Sequence, residues 1–242
     1  MNMKNPIDAR VGDTIVDNEE TEALPGFVAP NPMVFSGIYP MDSSEYEALE
    51  KAMDKLTLND ASVSVQKETS NALGMGFRCG FLGLLHMDVF RQRMEQEHEA
   101  DIIVTNPTVP YIARMLETGT DMIVSNPSNF PDPSLVEYFE EPIILASVIT
   151  PVEYMGPIME LCKERRGEQV DIEYLDSNQV LFKYILPLGE IVLDFYDGLK
   201  GQSKGYASLD YETAGYRKAE VVRVNFVLNG APVDALSTIC HR

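Results

Sequence analysis

The 242 residues are 45% hydrophobic and 24% charged, which excludes wholesale disorder and, at this length, fits two modest domains. A formal net charge of −19 excludes a protein that coats nucleic acid through a uniformly basic surface. No run approaches the roughly 18 consecutive apolar residues of a membrane-spanning helix and residues 1–6 lack the apolar core of a signal peptide, so an intracellular chain without stable membrane insertion is expected.

Residues 9–15 could form a last strand of a preceding unit, and the acidic stretch 17–22 followed by Leu24-Pro25-Gly26 reads as a linker. Residues 33–39 are apolar and strand-like, and Pro40 ends them before the N-cap residues Asp42, Ser43 and Ser44. Tyr46, Leu49, Met53 and Leu56 then fall on one helical face, and Asn59-Asp60 ends that helix. A half-buried strand at 62–66, a turn with Gly74 and a short strand at 75–78 follow. Gly80 is expected to open a second helix with Leu82, Leu85 and Val89 on its apolar face, and residues 101–105 give a fourth strand. The order is β-α-β-β-α-β.

The same order returns downstream. Residues 143–150 read as a strand, Met155, Ile158, Met159 and Cys162 mark a helix face, and Gly167 stands where a left-handed helix C-cap would be. Val170, Ile172 and Tyr174 alternate with acids, Asp176-Ser177-Asn178 turns, and residues 180–186 return as the second strand of a hairpin. Val192, Phe195 and Leu199 mark another helix, and residues 206–211 close the repeat. The fold class is therefore α+β: two ferredoxin-like split β-α-β domains joined by a hairpin-containing connector, with partial flanking domains at each end. The expected boundaries are 1–30 for the end of a preceding domain and linker, 31–106 for the first repeat, 107–141 for the connector, 142–214 for the second repeat, and 215–242 for the start of a further unit. Within the connector a hairpin turns at residues 117–120, and a proline-rich stretch covers 126–133.

Catalytic and metal chemistry find little support. There is no G-x-x-x-x-G-K-[ST] phosphate loop, and the spacing of Gly74, Gly76, Gly80 and Gly83 is not that of a dinucleotide loop, so these glycines read as steric necessities. His86, His98 and His241 lie far apart without C-x-x-C or H-E-x-x-H, and His86 beside an apolar helix face reads as a satisfied structural histidine; no metal is assigned. Cys79, Cys162 and Cys240 lie in or beside apolar segments and read as reduced thiols. No catalytic residue is assigned.

Charge is uneven along the chain. Residues 151–242 hold 10 Lys+Arg against 14 Asp+Glu, net −4, which leaves 9 against 24, net −15, for residues 1–150. Any RNA contact therefore belongs to the second half, where Lys163, Arg165 and Arg166 end one helix, Lys200 and Lys204 bracket Gly201, and Arg217-Lys218 follow the last strand. The candidate contact residues are Arg165, Arg166, Lys200, Lys204, Arg217 and Lys218. Cations at a helix C-terminus also complement its dipole, so Arg165 and Arg166 admit a purely structural explanation.

Longer strings carry a resemblance. GMGFRCGFLGLLHM over residues 74–87, PMVFSGIYP over 32–40, LNDAS over 58–62, ITPVEYMG over 149–156, RRG over 165–167, KGYAS over 204–208 and NGAPVDALS over 229–237 all resemble the elongation factor 4 (LepA) family of translational GTPases. Elongation factor G shares the 150–156 region and Arg-Arg-Gly more loosely. The resemblance implies that residues 1–30 end a β-barrel second domain, that 142–214 is similar to domain V of elongation factor G, and that 215–242 opens a family-specific C-terminal domain. It implies a GTPase domain, with GTP and magnesium, on a segment outside this chain, which itself takes no nucleotide. It further implies a monomer that docks on the ribosomal RNA and proteins of the factor-binding site, approaches tRNA through the C-terminal domain, and serves back-translocation or rescue of stalled elongation. The implied location is the cytoplasm, with peripheral inner-membrane association suggested for the family, or the mitochondrion or plastid in a eukaryote. Two other readings stand beside it: an acidic ferredoxin-like protein-interaction scaffold without ribosome binding, and part of an elongation factor G-like translocase.

Overall fold

The computed structural model describes residues 31–242 together with Asp13, Thr14, Val16 and Glu22; apart from these four, the expected barrel end and linker over residues 1–30 lie outside the described residues. The chain divides into two compact units, Met1–Asn106 and Pro107–Arg242.

In the first unit, β1 (Val34–Pro40), α1 (Tyr46–Asn59), β2 (Ser64–Ser70), β3 (Gly74–Phe81), α2 (Leu84–His98) and β4 (Ile102–Val104) follow one another. The sheet order is β2-β3-β1-β4, and β1 and β3, the two central strands, run antiparallel to each other and to their outer neighbours. This is the split β-α-β plan, in which each helix crosses over to a strand two places away. Asp42 accepts the Ser44 amide and caps a 3-10 turn, Ser43–Glu45, that leads into α1. Leu49, Met53 and Leu56 of α1 pack with Ile38, Phe77, Phe81, Phe90 and Met94 in one core. Burying side chains of this size contributes on the order of 1.5–3 kcal/mol each before chain entropy is subtracted.

Two expectations fail here. Gly80 does not open a helix: β3 runs on to Phe81, and α2 starts at Leu84 after Gly83. A Cβ at Gly80 would strike the Ser64 hydroxyl and lie 2.7 Å from the Phe35 ring, so glycine is required there by strand packing. The expected apolar face of α2 also points the wrong way, since Leu85 is 78% exposed and Leu82 and Val89 are exposed too. Phe90 and Met94 are buried instead, with Met87 packed against them. The first turns of α2 carry apolar residues on more than one side, so periodicity alone cannot say which stripe meets the sheet.

The second unit begins with the hairpin β5 (Tyr111–Met115) and β6 (Asp121–Val124), which turns through Gly119 at φ +61°. The proline-rich stretch forms two 3-10 turns, Pro127–Asn129 and Pro133–Leu135, capped by the side chains of Asn126 and Asp132, and Phe130 stacks on Phe139 at 4.8 Å. Then come β7 (Val136–Pro151), α3 (Met155–Glu164), β8 (Glu168–Tyr174), β9 (Gln179–Pro187), the short α4 (Leu188–Ile191), α5 (Phe195–Gln202) and β10 (Ser208–Ala219). Strands β8-β9-β7-β10 pair in that order, the same permutation as in the first unit, and β5 and β6 extend the sheet beside the first part of β7. A separate two-stranded ribbon, β11 (Val221–Leu228) and β12 (Ala231–His241), completes the described chain.

Strand β7 starts seven residues before the expected one because its first part, Val136-Glu137-Tyr138-Phe139-Glu140-Glu141, is rich in acids and does not read as an apolar run. Strand β10 likewise runs past residue 214, where a unit boundary was expected, through an irregularity between Thr213 and Tyr216 with Gly215 at φ +91°. Strand β8 is an edge strand, and of the three residues that alternate with its acids Val170 and Tyr174 are exposed. In α3 the buried residues are Ile158, Leu161 and Cys162, and in the next helical segment Ile191, Val192, Phe195 and Leu199. No helix of the described residues is long and apolar enough to cross a membrane.

Candidate functional site

Both long helices of the second repeat end in the same way. At the end of α3 the Arg166 amide donates to the Lys163 carbonyl at 3.1 Å, and the Gly167 amide donates to Cys162 at 2.8 Å. At the end of α5 the Lys204 amide donates to Gly201 at 3.4 Å, and the Gly205 amide donates to Lys200 at 2.8 Å. These are Schellman caps, whose first residue past the cap must be left-handed and is usually glycine. Here it is a cation: Arg166 at φ +58° and Lys204 at φ +50°. The left-handed residue expected at Gly167 is therefore Arg166. Gly167 is needed for another reason, because a Cβ there would sit 2.6 Å from the Cys162 carbonyl oxygen and 2.7 Å from the Leu186 side chain. A left-handed non-glycine residue costs on the order of 1 kcal/mol and persists where surrounding contacts hold it.

Those contacts are strong at Arg166. Its guanidinium grips both oxygens of Glu141 at 2.9 and 2.8 Å and reaches Glu190 at 2.9 Å through Nε. Arg217 donates to the same Glu141 at 3.2 Å and to Glu168 at 2.7 Å. The Glu141 side chain is only 4% exposed, so one buried carboxylate ties β7, the end of α3 and β10 together. Burial by itself would lower the Arg166 pKa, but the bonds and charges of Glu141 and Glu190 outweigh it and raise it. Burial, reinforced by Glu141, also pushes the Tyr111 hydroxyl up. Arg165, one residue earlier, pairs at 2.8 Å with the exposed Asp194.

At the other end of α5 the chemistry is different. Lys200 donates to the carbonyls of Ala207 at 2.7 Å and Gly205 at 3.3 Å and lies over the Tyr196 ring. Lys204 stands 5.9 Å from the centre of the Tyr154 ring, and Tyr154 stacks on Tyr206. Lys218 and Arg217 are neighbours on β10 and so point to opposite faces of the sheet; Lys218 covers the Tyr138 ring at 3.7 Å. Lys204 and Lys218 have no ion-pair partner among the described residues.

The six candidates thus fall into three places. Arg165, Arg166 and Arg217 gather with Glu141, Glu168, Glu190 and Asp194, three cations against four carboxylates. Lys200 and Lys204 lie among tyrosines, and Lys218 stands apart on Tyr138. The helix-dipole explanation alone is too small for Arg166, because charge reversal there would set an anion against the buried Glu141 and leave it only Arg217. Sequence reasoning missed Glu141 as the centre of this network. A glutamate within an apolar-acidic strand start looks like any of the chain's 38 acids. It also missed Tyr154, Tyr196 and Tyr206, whose only signal was aromatic residues near lysines.

The remaining chemistry-bearing residues are structural. His86 accepts the Leu82 amide on Nδ1 at 3.2 Å, which places its proton on Nε2, 2.7 Å from Asp60. Cys79 and Cys162 are buried free thiols, burial pushing Cys162 up to about 12, and Cys240 is a half-buried free thiol. Among the described residues no three His, Cys, Asp or Glu side chains are grouped to hold a metal ion.

The family profile described as the elongation factor G C-terminus matches residues 138–225, from the first part of β7 into β11. Elongation factor 4 of Symbiobacterium thermophilum is 52% identical over 96% of this chain and 39% of its own length. The mitochondrial translation factor GUF1 homolog of Physcomitrium patens is 51% identical over 99% and 35%. The human mitochondrial translation factor GUF1 is 50% identical over 99% and 37%. The chain thus spans between a third and two fifths of the length of these relatives. A crystal structure from Thermus thermophilus shares the fold over 84% of this chain and 43% of its own, with a TM-score of 0.50 at 17% identity.

Proposed function

Because the chain belongs, over the stretch it covers, to the elongation factor 4 family, we propose that it is the ribosome-docking portion of a translation factor of that family. The observation that carries this reading is identity of about half over nearly the whole chain to bacterial elongation factor 4 and mitochondrial GUF1 alike. The full-length protein is read as a GTP hydrolase whose GTP and magnesium sit on a segment outside this chain, acting as a monomer beside tRNA on the ribosome. Its compartment follows the source, cytoplasm for a bacterial protein and mitochondrion or plastid for an organellar one. The elongation factor G match over the second repeat fits a docking domain common to both kinds of factor.

The contacts with ribosomal RNA are assigned to Lys204 and Lys218, whose ammonium groups have neither a carboxylate nor a carbonyl partner among the described residues, with Lys200, held on the Gly205 and Ala207 carbonyls, supporting the loop at Lys204, and with Arg165 beside them in the second repeat. Arg166 and Arg217, both held on Glu141, fix the end of α3, which carries Arg165, and the strand β10, which carries Lys218. Phosphate contacts release counterions, so each one steepens the salt dependence of binding. In ribosome co-sedimentation at several salt concentrations, the double variant Lys204→Glu, Lys218→Glu should bind more weakly. The logarithmic salt slope should flatten by about 0.7–0.9 for each phosphate no longer neutralised. Unchanged affinity and slope, with an unchanged circular dichroism spectrum, would refute the assignment.

A further inference from the structure

Tyr206 is 69% exposed, the most exposed tyrosine or phenylalanine among the described residues. The loop is fixed on every side. Lys204 at φ +50° and Gly205 at φ +87° turn it back, and the Tyr206 amide donates to Ser203. Lys200 holds the carbonyls of Gly205 and Ala207, the residues on either side of Tyr206. The buried Ser203 hydroxyl accepts the Ala207 amide at 2.9 Å and donates to Leu199 at 2.7 Å. The ring itself lies nearly parallel to Tyr154, 9° between planes and 6.2 Å between centres, with the Lys204 ammonium close by. A flat, pre-ordered aromatic face beside an unpaired cation is what a nucleotide requires: its base offers a π-face and its phosphate a negative charge.

We propose that Tyr206, backed by Tyr154 and flanked by Lys204, is a stacking platform for a single unpaired base of RNA. This rests on the ribosome-docking reading and deepens it. Bases within a duplex already stack on one another, so only an unpaired or turned-out nucleotide can use the platform. Glu153 beside Tyr154 and Asp197 beside Tyr196 are exposed acids that disfavour a long phosphate track, so the site takes one base presented by folded RNA. An acidic peptide would satisfy Lys204 but leave the parallel rings unused.

The chain has no tryptophan, so Tyr206→Trp introduces a lone tryptophan at the platform, which can be excited at wavelengths where the remaining tyrosines do not absorb. In the full 242-residue chain a short single-stranded RNA should quench it saturably, whereas an abasic strand of the same length and charge should not. Tyr206→Leu should weaken binding to that RNA and to ribosomes by about tenfold or more, the usual yield of one stacked base, and Tyr206→Phe should restore it. Equal quenching by the abasic strand would overturn the proposal, as would a Leu variant that binds as tightly as the parent. Loss of ribosome binding in the Leu variant without any quenching by RNA would also overturn it, in favour of a protein contact. If the Lys204→Glu, Lys218→Glu variant loses ribosome binding while every Tyr206 variant is silent, docking stands and the platform falls. If neither responds, both fall.

Discussion

The two repeats share one strand permutation but end their helices with opposite charge. In the first, α1 is capped by Asp60 and α2 by Glu99, the latter left-handed at φ +51°. In the second, α3 is capped by Arg165 followed by the left-handed Arg166, and α5 is followed by the left-handed Lys204. A helix C-terminus carries a partial negative charge, so cations there are favourable and anions are not. The second repeat follows the dipole and the first works against it. Topology is therefore neutral about function here, and so is net charge, since residues 31–106 and 142–214 each hold 6 Lys+Arg against 12 Asp+Glu, net −6; it is where the charges stand, at equivalent helix ends, that sets the two repeats apart.

The comparison breaks most sharply at Glu141. Its carboxylate is buried between Arg166 and Arg217, whereas the first repeat has the solvent-facing pair of Glu50 and Lys67 at 2.6 Å. Glu141→Ala removes the buried carboxylate that both arginines share, leaving Arg166 with Glu190 and Arg217 with Glu168, and should cost about 2–3 kcal/mol in urea unfolding. Glu50→Ala should cost less than about 1 kcal/mol. Equal costs would mean that the network is solvated and that Arg166 and Arg217 are surface cations after all.

A smaller effect separates glycines within α3 and its cap. Gly167→Ala must push a methyl group against the Cys162 carbonyl and Leu186, and overpacking of this kind costs about 1–3 kcal/mol. Gly156 has nothing within 4 Å of an added Cβ, and Gly156→Ala should be neutral or stabilise by up to about 1 kcal/mol. Thermal melts of the two variants moving in the same direction would show that the cap has relaxed and that Arg166 is not held left-handed by its neighbours.

These residues also mark what the sequence could tell. The repeated β-α-β-β-α-β order was legible because Leu49, Met53 and Leu56 in α1, and Ile158 and Cys162 in α3, follow the helical period, and because the strands between them are short and bounded by turns. The stripe of α2 was not, because Leu85 and Val89 are as apolar as Phe90 and Met94, and only the packing of the sheet chooses between them. At the candidate site the basic residues could be found by charge alone. Their partners could not, since Arg166 and Glu141 are 25 residues apart, and no local pattern distinguishes a carboxylate that will be buried from one that will be solvated. The left-handed turn falls one residue before the expected glycine because the cost of arginine there is met by distant contacts.

The smallest expected effect tests how the first repeat tolerates its anion. Asp60, the cap residue of α1, is partly buried, and that burial, the largest single influence, would raise its pKa. The hydrogen bonds from Ser62, whose hydroxyl is at 2.6 Å, and from the His86 ring at 2.7 Å outweigh it and hold the carboxyl below its ordinary value. A folded-state pKa below the unfolded one stabilises the fold above the unfolded value, about 3.9, and that contribution disappears as pH falls through the lower folded value. Asp60→Asn keeps the shape and one acceptor but removes the charge, so it should cost about 1 kcal/mol at neutral pH. The gap between parent and variant in urea midpoint should hold steady down to about pH 5 and close below about pH 4. Repeating the titration in Ser62→Ala should shrink the gap at neutral pH, because one of the hydrogen bonds that hold the anion is gone. A gap that persists unchanged to strong acid would show that the anion is not held by these partners, and that an acid at this helix end costs the first repeat nothing.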